Sequence, residues 1–206
     1  MDDNTVYLAG VLASPPIFSH ESHGQGYYGM MIGSMRLSGV TDTLRVQIPA
    51  RTLDGLELTA GGPVAVRGRM RSYNNKSGTG SRLVLSVLAR EVMSCHDGHN
   101  NLLTLTGTLC KPPVYRRTPL GREICDLLLA VSRYQGRSDY LPCIAWGTAA
   151  RAASGFRTGE RVALRGRLQS RVYVKQENGA EMEKTAYEIS ASEIRLLEHT
   201  HQDLRA

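Results

Sequence analysis

Val6-Tyr-Leu-Ala-Gly-Val-Leu-Ala-Ser-Pro-Pro-Ile-Phe18 and Leu103-Thr-Leu-Thr-Gly-Thr-Leu-Cys-Lys-Pro-Pro-Val-Tyr115 are one segment written twice. Gly10 falls on Gly107 and Pro15-Pro16 on Pro112-Pro113, an offset of 97 residues. At the same offset Arg36 falls on Arg133 and Gly39 on Gly136. Further on, Val64-Ala-Val-Arg-Gly-Arg-Met70 matches Val162-Ala-Leu-Arg-Gly-Arg-Leu168 at an offset of 98. Near the ends Arg90-Glu91-Val92 resembles Ser192-Glu193-Ile194. Such a period is too long for a solenoid unit and suits two copies of one domain. The polar join Ser94-Cys-His-Asp-Gly-His-Asn-Asn101 reads as the linker. The expected boundaries are residues 1–94 for the first domain, 95–101 for the linker, 102–198 for the second domain and 199–206 for a short tail.

Each copy reads as strands. Val6 to Leu12 alternates and ends at the proline pair, which stops a strand. Asp126 to Ser132 reads as a buried strand. Tyr140 to Trp146 is another, with Pro142 implying an edge or a bulge. Arg161 to Tyr173 alternates with Gly166 inside, as a strand that bends round a barrel does, and Ala186 to Leu196 completes the set. The one helical window is Thr148 to Phe156, with Thr52 to Leu58 as its poorer counterpart because of Gly55. Five strands with a short helix between the third and fourth is the order of an OB-fold barrel. The expected class is therefore all-β in the main, with two tandem five-stranded OB-folds.

The 206 residues are 41% hydrophobic and 21% charged, ordinary for a chain that buries a core. No apolar run is long enough for a membrane helix. The acidic start Met1-Asp2-Asp3-Asn4 has no apolar signal region, so a cytoplasmic protein is expected. Cys95, Cys110, Cys125 and Cys143 form no C-x-x-C and read as reduced thiols. The net charge of +6 is uneven: residues 1–98 carry nine Lys+Arg against eight Asp+Glu, and residues 99–206 carry sixteen against eleven. The basic second half suits an anionic partner.

In five stretches the second copy resembles the bacterial single-stranded DNA-binding (SSB) protein family: Thr106-Gly-Thr-Leu-Cys-Lys-Pro112, Arg116-Arg-Thr-Pro-Leu-Gly121, Leu128-Leu-Ala-Val-Ser132, Asp139-Tyr-Leu-Pro-Cys-Ile-Ala-Trp-Gly147 and Leu164-Arg-Gly-Arg-Leu-Gln-Ser-Arg-Val-Tyr173. They stand in family order over about residues 102–197. The first copy keeps only Gly10-Val-Leu, Pro15 and Val66-Arg-Gly-Arg-Met-Arg-Ser-Tyr73. The resemblance implies sequence-independent binding and protection of single-stranded DNA in replication, recombination or repair. It also implies a homodimer presenting four OB-folds and a bacterial, nucleoid-associated location. The acidic tip that recruits partners in housekeeping members has no counterpart in Glu198-His-Thr-His-Gln-Asp-Leu-Arg-Ala206.

The chemistry such binding needs is flat rings for bases and cations for phosphates. The family's aromatic positions carry over as Tyr134, Tyr140, Trp146 and Tyr173. Tyr140 and Trp146 are six apart, so a regular strand turns both to one face. Arg116, Arg117, Arg133, Arg137, Arg165, Arg167, Arg171 and Lys175 are the expected phosphate contacts, with Arg122 beside them. In the first copy the weaker candidates are Tyr73, Arg67, Arg69 and Arg71, and an architectural role is favoured there. A scaffold or primosome-type protein with weak DNA binding, or a single-stranded RNA binder, fits the same features. Catalysis is not expected: Glu123, Asp126 and Asp139 flank strands without clustering, and Glu181 and Glu183 read as solvated. Cys95, His96, His99, His199 and His201 lie in stretches too loose to gather a metal. No cofactor, membrane or small-molecule substrate is implied.

Overall fold

The Arg-Gly-Arg repeat shows how the strands can curl into barrels. A Cβ on Gly68 would overlap the carbonyl oxygen of Leu88, and one on its counterpart Gly166 would overlap that of Ser190. Only glycine lets two backbones pass that closely. The computed structural model describes residues 4–75, 82–94, 98–177 and 180–197. The expectations for Cys95, His96, His199 and His201 lie outside these. By the density of internal contacts the chain divides into two units. One is built on Thr104–Gly166 and the segment from Ile189, the other on Asn4–Leu103 together with Arg167–Glu188.

The first copy contains β1 (Asn4–Ser22), β2 (Gln25–Met35), β3 (Thr41–Pro49), β4 (Pro63–Asn74) and β5 (Leu83–Met93). β1 is antiparallel to β2 and β4, and β2 to β3. β3 runs parallel to β5 at Val46–Val87, and β4 antiparallel to β5, which closes the ring. Leu8, Met30, Ile32, Leu44, Ile48 and Met70 fill it. The second copy contains β6 (Asn100–Leu109), β7 (Val114–Arg117), β8 (Glu123–Ser132), β9 (Ser138–Trp146), α1 (Thr148–Ala153), β10 (Arg161–Glu177) and β11 (Ala180–Leu196). Its ring has the same order, β6-β8-β9-β11-β10, with β9 and β11 parallel. Both copies are five-stranded OB-folds.

Local details differ from the sequence expectation. β1 continues through Pro15-Pro16 to Ser22, because its pairing with β2 shifts register on either side of Ser14, where missing donors do no harm. In the second copy Pro112-Pro113 does break the strand, and Tyr115 lies on the short strand β7. The helix of the first copy shrinks to one 3-10 turn, Ala50–Thr52, because Gly55 takes a positive φ of 74°. Tyr173 lies within β10 and does not open a loop. Pro142 causes no bulge: β8 and β9 pair without a shift from Ile124–Trp146 to Ser132–Ser138. It sits just before the β11 pairing, which begins at Cys143, so its missing N–H costs no bond there.

Two polar devices are written twice. The Asn4 amide exchanges two hydrogen bonds with the backbone of Met70, at 2.9 and 2.7 Å. Asn101 does the same with Leu168, at 2.6 and 3.1 Å. In the hairpin between the second and third strands, Arg36 forks the buried Asp42 at 2.7 and 2.5 Å, and Arg133 forks the buried Asp139. Asp42 also accepts from the backbone N–H of Ser170 at 2.7 Å. Removing the cation from a buried carboxylate costs about 3 kcal/mol or more. Arg133→Ala is therefore expected to lower stability by about 3 kcal/mol in denaturant unfolding, while Arg137→Ala, an exposed neighbour on the same turn, stays within about 0.5 kcal/mol.

Candidate nucleic-acid interface

Alternation on β8 and β9 sorts most of their side chains, with Ile124 and Ile144 buried out of turn. Cys125, Leu127, Leu129 and Val131 face the core with Leu141, Cys143 and Ala145. The opposite face carries Asp126, Leu128 and Ala130 on β8 and Tyr140, Pro142 and Trp146 on β9, all at least partly exposed, and the same parity holds Ile124 and Ile144, which are buried. Trp146 pairs with Ile124, which pairs with Arg116 on β7, so these three form a row across the strands. Tyr140 stands opposite Ala130, which is too small to cover its ring, and is 53% exposed. Tyr140 and Trp146 thus close the two ends of an apolar floor about 20 Å long at ~3.4 Å per residue.

At the Trp146 end an open recess of about 550 Å³ is lined by Trp146, Gly147, Arg117, Gly121, Arg122 and Glu123. Gly121, at a positive φ of 76°, makes the tight turn from Thr118 to Arg122 that joins β7 to β8. Glu123 is the hub. It accepts from the Tyr115 hydroxyl at 2.5 Å, is bridged by Arg151 of α1, and lies 3.6 Å from Arg117. The Tyr115 hydrogen bond is the main cause of a Glu123 carboxyl held below its ordinary range, with Arg151 and Arg117 adding to it. Arg116 pairs with Asp126 at 2.8 Å on the surface. Such an exposed pair is worth little and opens readily to a phosphate.

The other expected residues fall in different places. Tyr134 lies on the 3-10 turn Tyr134–Gly136 and is almost fully exposed. Arg137 is exposed beside it. Arg133 grips Asp139 and positions the hairpin. Arg165 is exposed on β10. Arg167, Arg171, Tyr173 and Lys175 belong to the segment that groups with Asn4–Leu103, apart from the Tyr140–Trp146 unit. Burial pushes the Arg167 pKa down, and its buried Nε has no hydrogen-bond partner. Arg171 lies 5.6 Å over the Tyr173 ring. In the first copy Arg67 covers Tyr7 and pairs with Glu91, Tyr73 is exposed on β4, and Arg69 and Arg71 line a separate recess.

The sequence reading missed Arg151 and the apolar floor between the two rings. The floor was legible in the alternation of Ile124 to Ala130 once pairing was known. Arg151 had no signal, because an exposed helical arginine has none.

The family model described as Single-strand binding protein family matches residues 100–197. Single-stranded DNA-binding proteins 1 and 2 of two Staphylococcus aureus strains are each 36% identical over 84 residues, covering 37% of this chain and 50% of those proteins. The chain spans about half the length of the curated relatives it matches. The fold of the whole chain is similar to that of the wild-type single-stranded DNA binding protein from Thermus aquaticus, with a TM-score of 0.78 at 23% identity, covering 96% of this chain and 94% of that one.

The Glu123 network has a titration signature. A lowered carboxyl contributes stability above its ordinary range and loses it as pH falls through the lowered value. Tyr115→Phe removes the main cause, so the Glu123 side-chain carboxyl signal in NMR is expected to titrate at higher pH in the variant than in the wild type.

Proposed function

Taking residues 100–197 as a domain of the single-strand binding protein family, we propose that the chain binds single-stranded DNA without sequence preference. Tyr140 and Trp146 stack on bases, and Arg116, Arg117 and Arg122 meet phosphates. The observation that carries this is the parity of β9: two rings on one outward face, at the ends of an apolar floor, with cations along the Trp146 edge. Any base offers a π-face to such rings, so the contact is indifferent to sequence. Tyr134 and Arg137 extend the path past Tyr140, and Arg165 adds charge. Arg171, Tyr173 and Lys175 supply further contacts from the β10–β11 arm.

We take domains at 1–94 and 102–198, joined by 95–101, with 199–206 as a tail; the five strands from Asn4 to Met93 support the first, and β6 begins at Asn100, two residues inside that linker. Two chains form a homodimer of four OB-folds, closed twofold symmetry being the commonest arrangement. The protein works in the bacterial cytoplasm, in replication, recombination or repair, through binding and without a cofactor. No helix among the described residues is long and apolar enough to cross a membrane.

Fluorescence anisotropy of a labelled deoxythymidine oligonucleotide tests the proposal. Tyr140→Ala and Trp146→Ala are each expected to weaken binding by about 1–3 kcal/mol, roughly fivefold to 150-fold. Wild-type affinity in both variants, with the fold intact by circular dichroism, overturns the assignment of this face.

A further inference from the structure

As far as Leu168, β10 alternates as a barrel strand should, with Val162, Leu164 and Leu168 buried. From Ser170 onward no described residue of the strand is buried, and Arg171, Val172 and Val174 are exposed on both parities. Burial therefore cannot decide which way these side chains face. Yet Arg171 lies 5.6 Å over the Tyr173 ring, an ordered pair at the root of the arm.

A polar clasp holds that root, within the unit that joins Asn4–Leu103 to Arg167–Glu188. The fully buried Asp42 accepts from the Ser170 backbone N–H at 2.7 Å and from the Ser170 hydroxyl at 3.1 Å. Arg36, which forks the same carboxylate, donates to the Ser170 carbonyl at 3.1 Å. The ion pair thus offers the Ser170 backbone one acceptor and one donor, as a neighbouring strand would. Gln169, next in the chain, donates to Glu188 of β11 at 2.8 Å and ties the two strands of the arm together. The Asp42 hydrogen bond holds the Arg36 guanidinium above its ordinary range against the effect of burial, and the charges of Asp42 and Glu188 add to it.

We propose that Arg36 and Asp42 are positioning residues for strand binding: by pinning Ser170 they fix the parity at which Arg171 and Tyr173 stand on β10. This rests on the arm contacts proposed above, and it gives the first copy a part in binding that needs no strand on its own sheet. A slip of one residue at Ser170 would put Val172 and Val174 where Arg171 and Tyr173 stand, and valine neither stacks on bases nor holds phosphates.

The test is a double-mutant cycle on the oligo-deoxythymidine affinity of the full chain. Arg36→Met/Asp42→Leu replaces the pair with apolar side chains of comparable size, which leaves no buried charge alone and releases Ser170. In the wild-type background Tyr173→Ala is expected to weaken binding about tenfold. Without the clasp the same change is expected to cost less than about twofold, while Trp146→Ala keeps its wild-type factor to within about twofold. Tyr173→Ala keeping its full factor without the clasp, or both factors shrinking together, overturns the proposal. Tyr173→Ala binding as tightly as the wild type overturns the arm contact beneath it instead. Hydrogen exchange at the wild-type Ser170 amide gives a second readout that needs no variant. Slow exchange, in step with the buried stretch of β10, supports the clasp, and exchange at the rate of an open chain overturns it.

Discussion

A buried carboxylate fixes the register on which the outward chemistry of the second barrel depends. Asp139 is fully enclosed and held by the Arg133 fork. It cannot face water without leaving that fork, so its neighbour Tyr140 must. Side chains on a strand alternate, and a one-residue slip would exchange every inward and outward position. The fork therefore sets the parity by which Tyr140, Pro142 and Trp146 reach solvent while Leu141, Cys143 and Ala145 lie in the core, with Ile144 buried as well. Removing Arg133 would do more than delete one positive charge from a basic surface.

The two copies keep what the backbone needs and change what solvent sees. Asn4 and Asn101, Arg36 and Arg133, Asp42 and Asp139, Gly68 and Gly166 recur with the same partners or the same close approach. These groups satisfy buried polar atoms or let strands pass, and barrels fail without them. Outward positions carry no such obligation. There Trp146 corresponds to Pro49 and Tyr140 to Thr43, and the first copy sets its rings on the longer β1–β2 arm.

The repeat, the strand order and the parity of Tyr140 and Trp146 were legible because they follow from period-2 alternation and from glycine and proline placement. The continuation of β1 through Pro15-Pro16 was not, since a proline pair ends a strand unless bulges in the partner register absorb it. The grip of Arg133 on Asp139 was hidden because sequence shows a cation near an anion but not the burial that commits them. The clasp on Ser170 was hidden for a different reason. Asp42 and Ser170 stand 128 residues apart in the chain and meet only once it is folded.

The sole tryptophan gives the most direct measurement. Trp146 stands on the outward face at one end of the floor, so its emission reports contact there. On titration with unlabelled oligo-deoxythymidine, emission should be quenched in step with binding followed by anisotropy, and both should weaken together as salt rises. Binding of the strand with Trp146 emission unchanged at saturation would contradict stacking on this face.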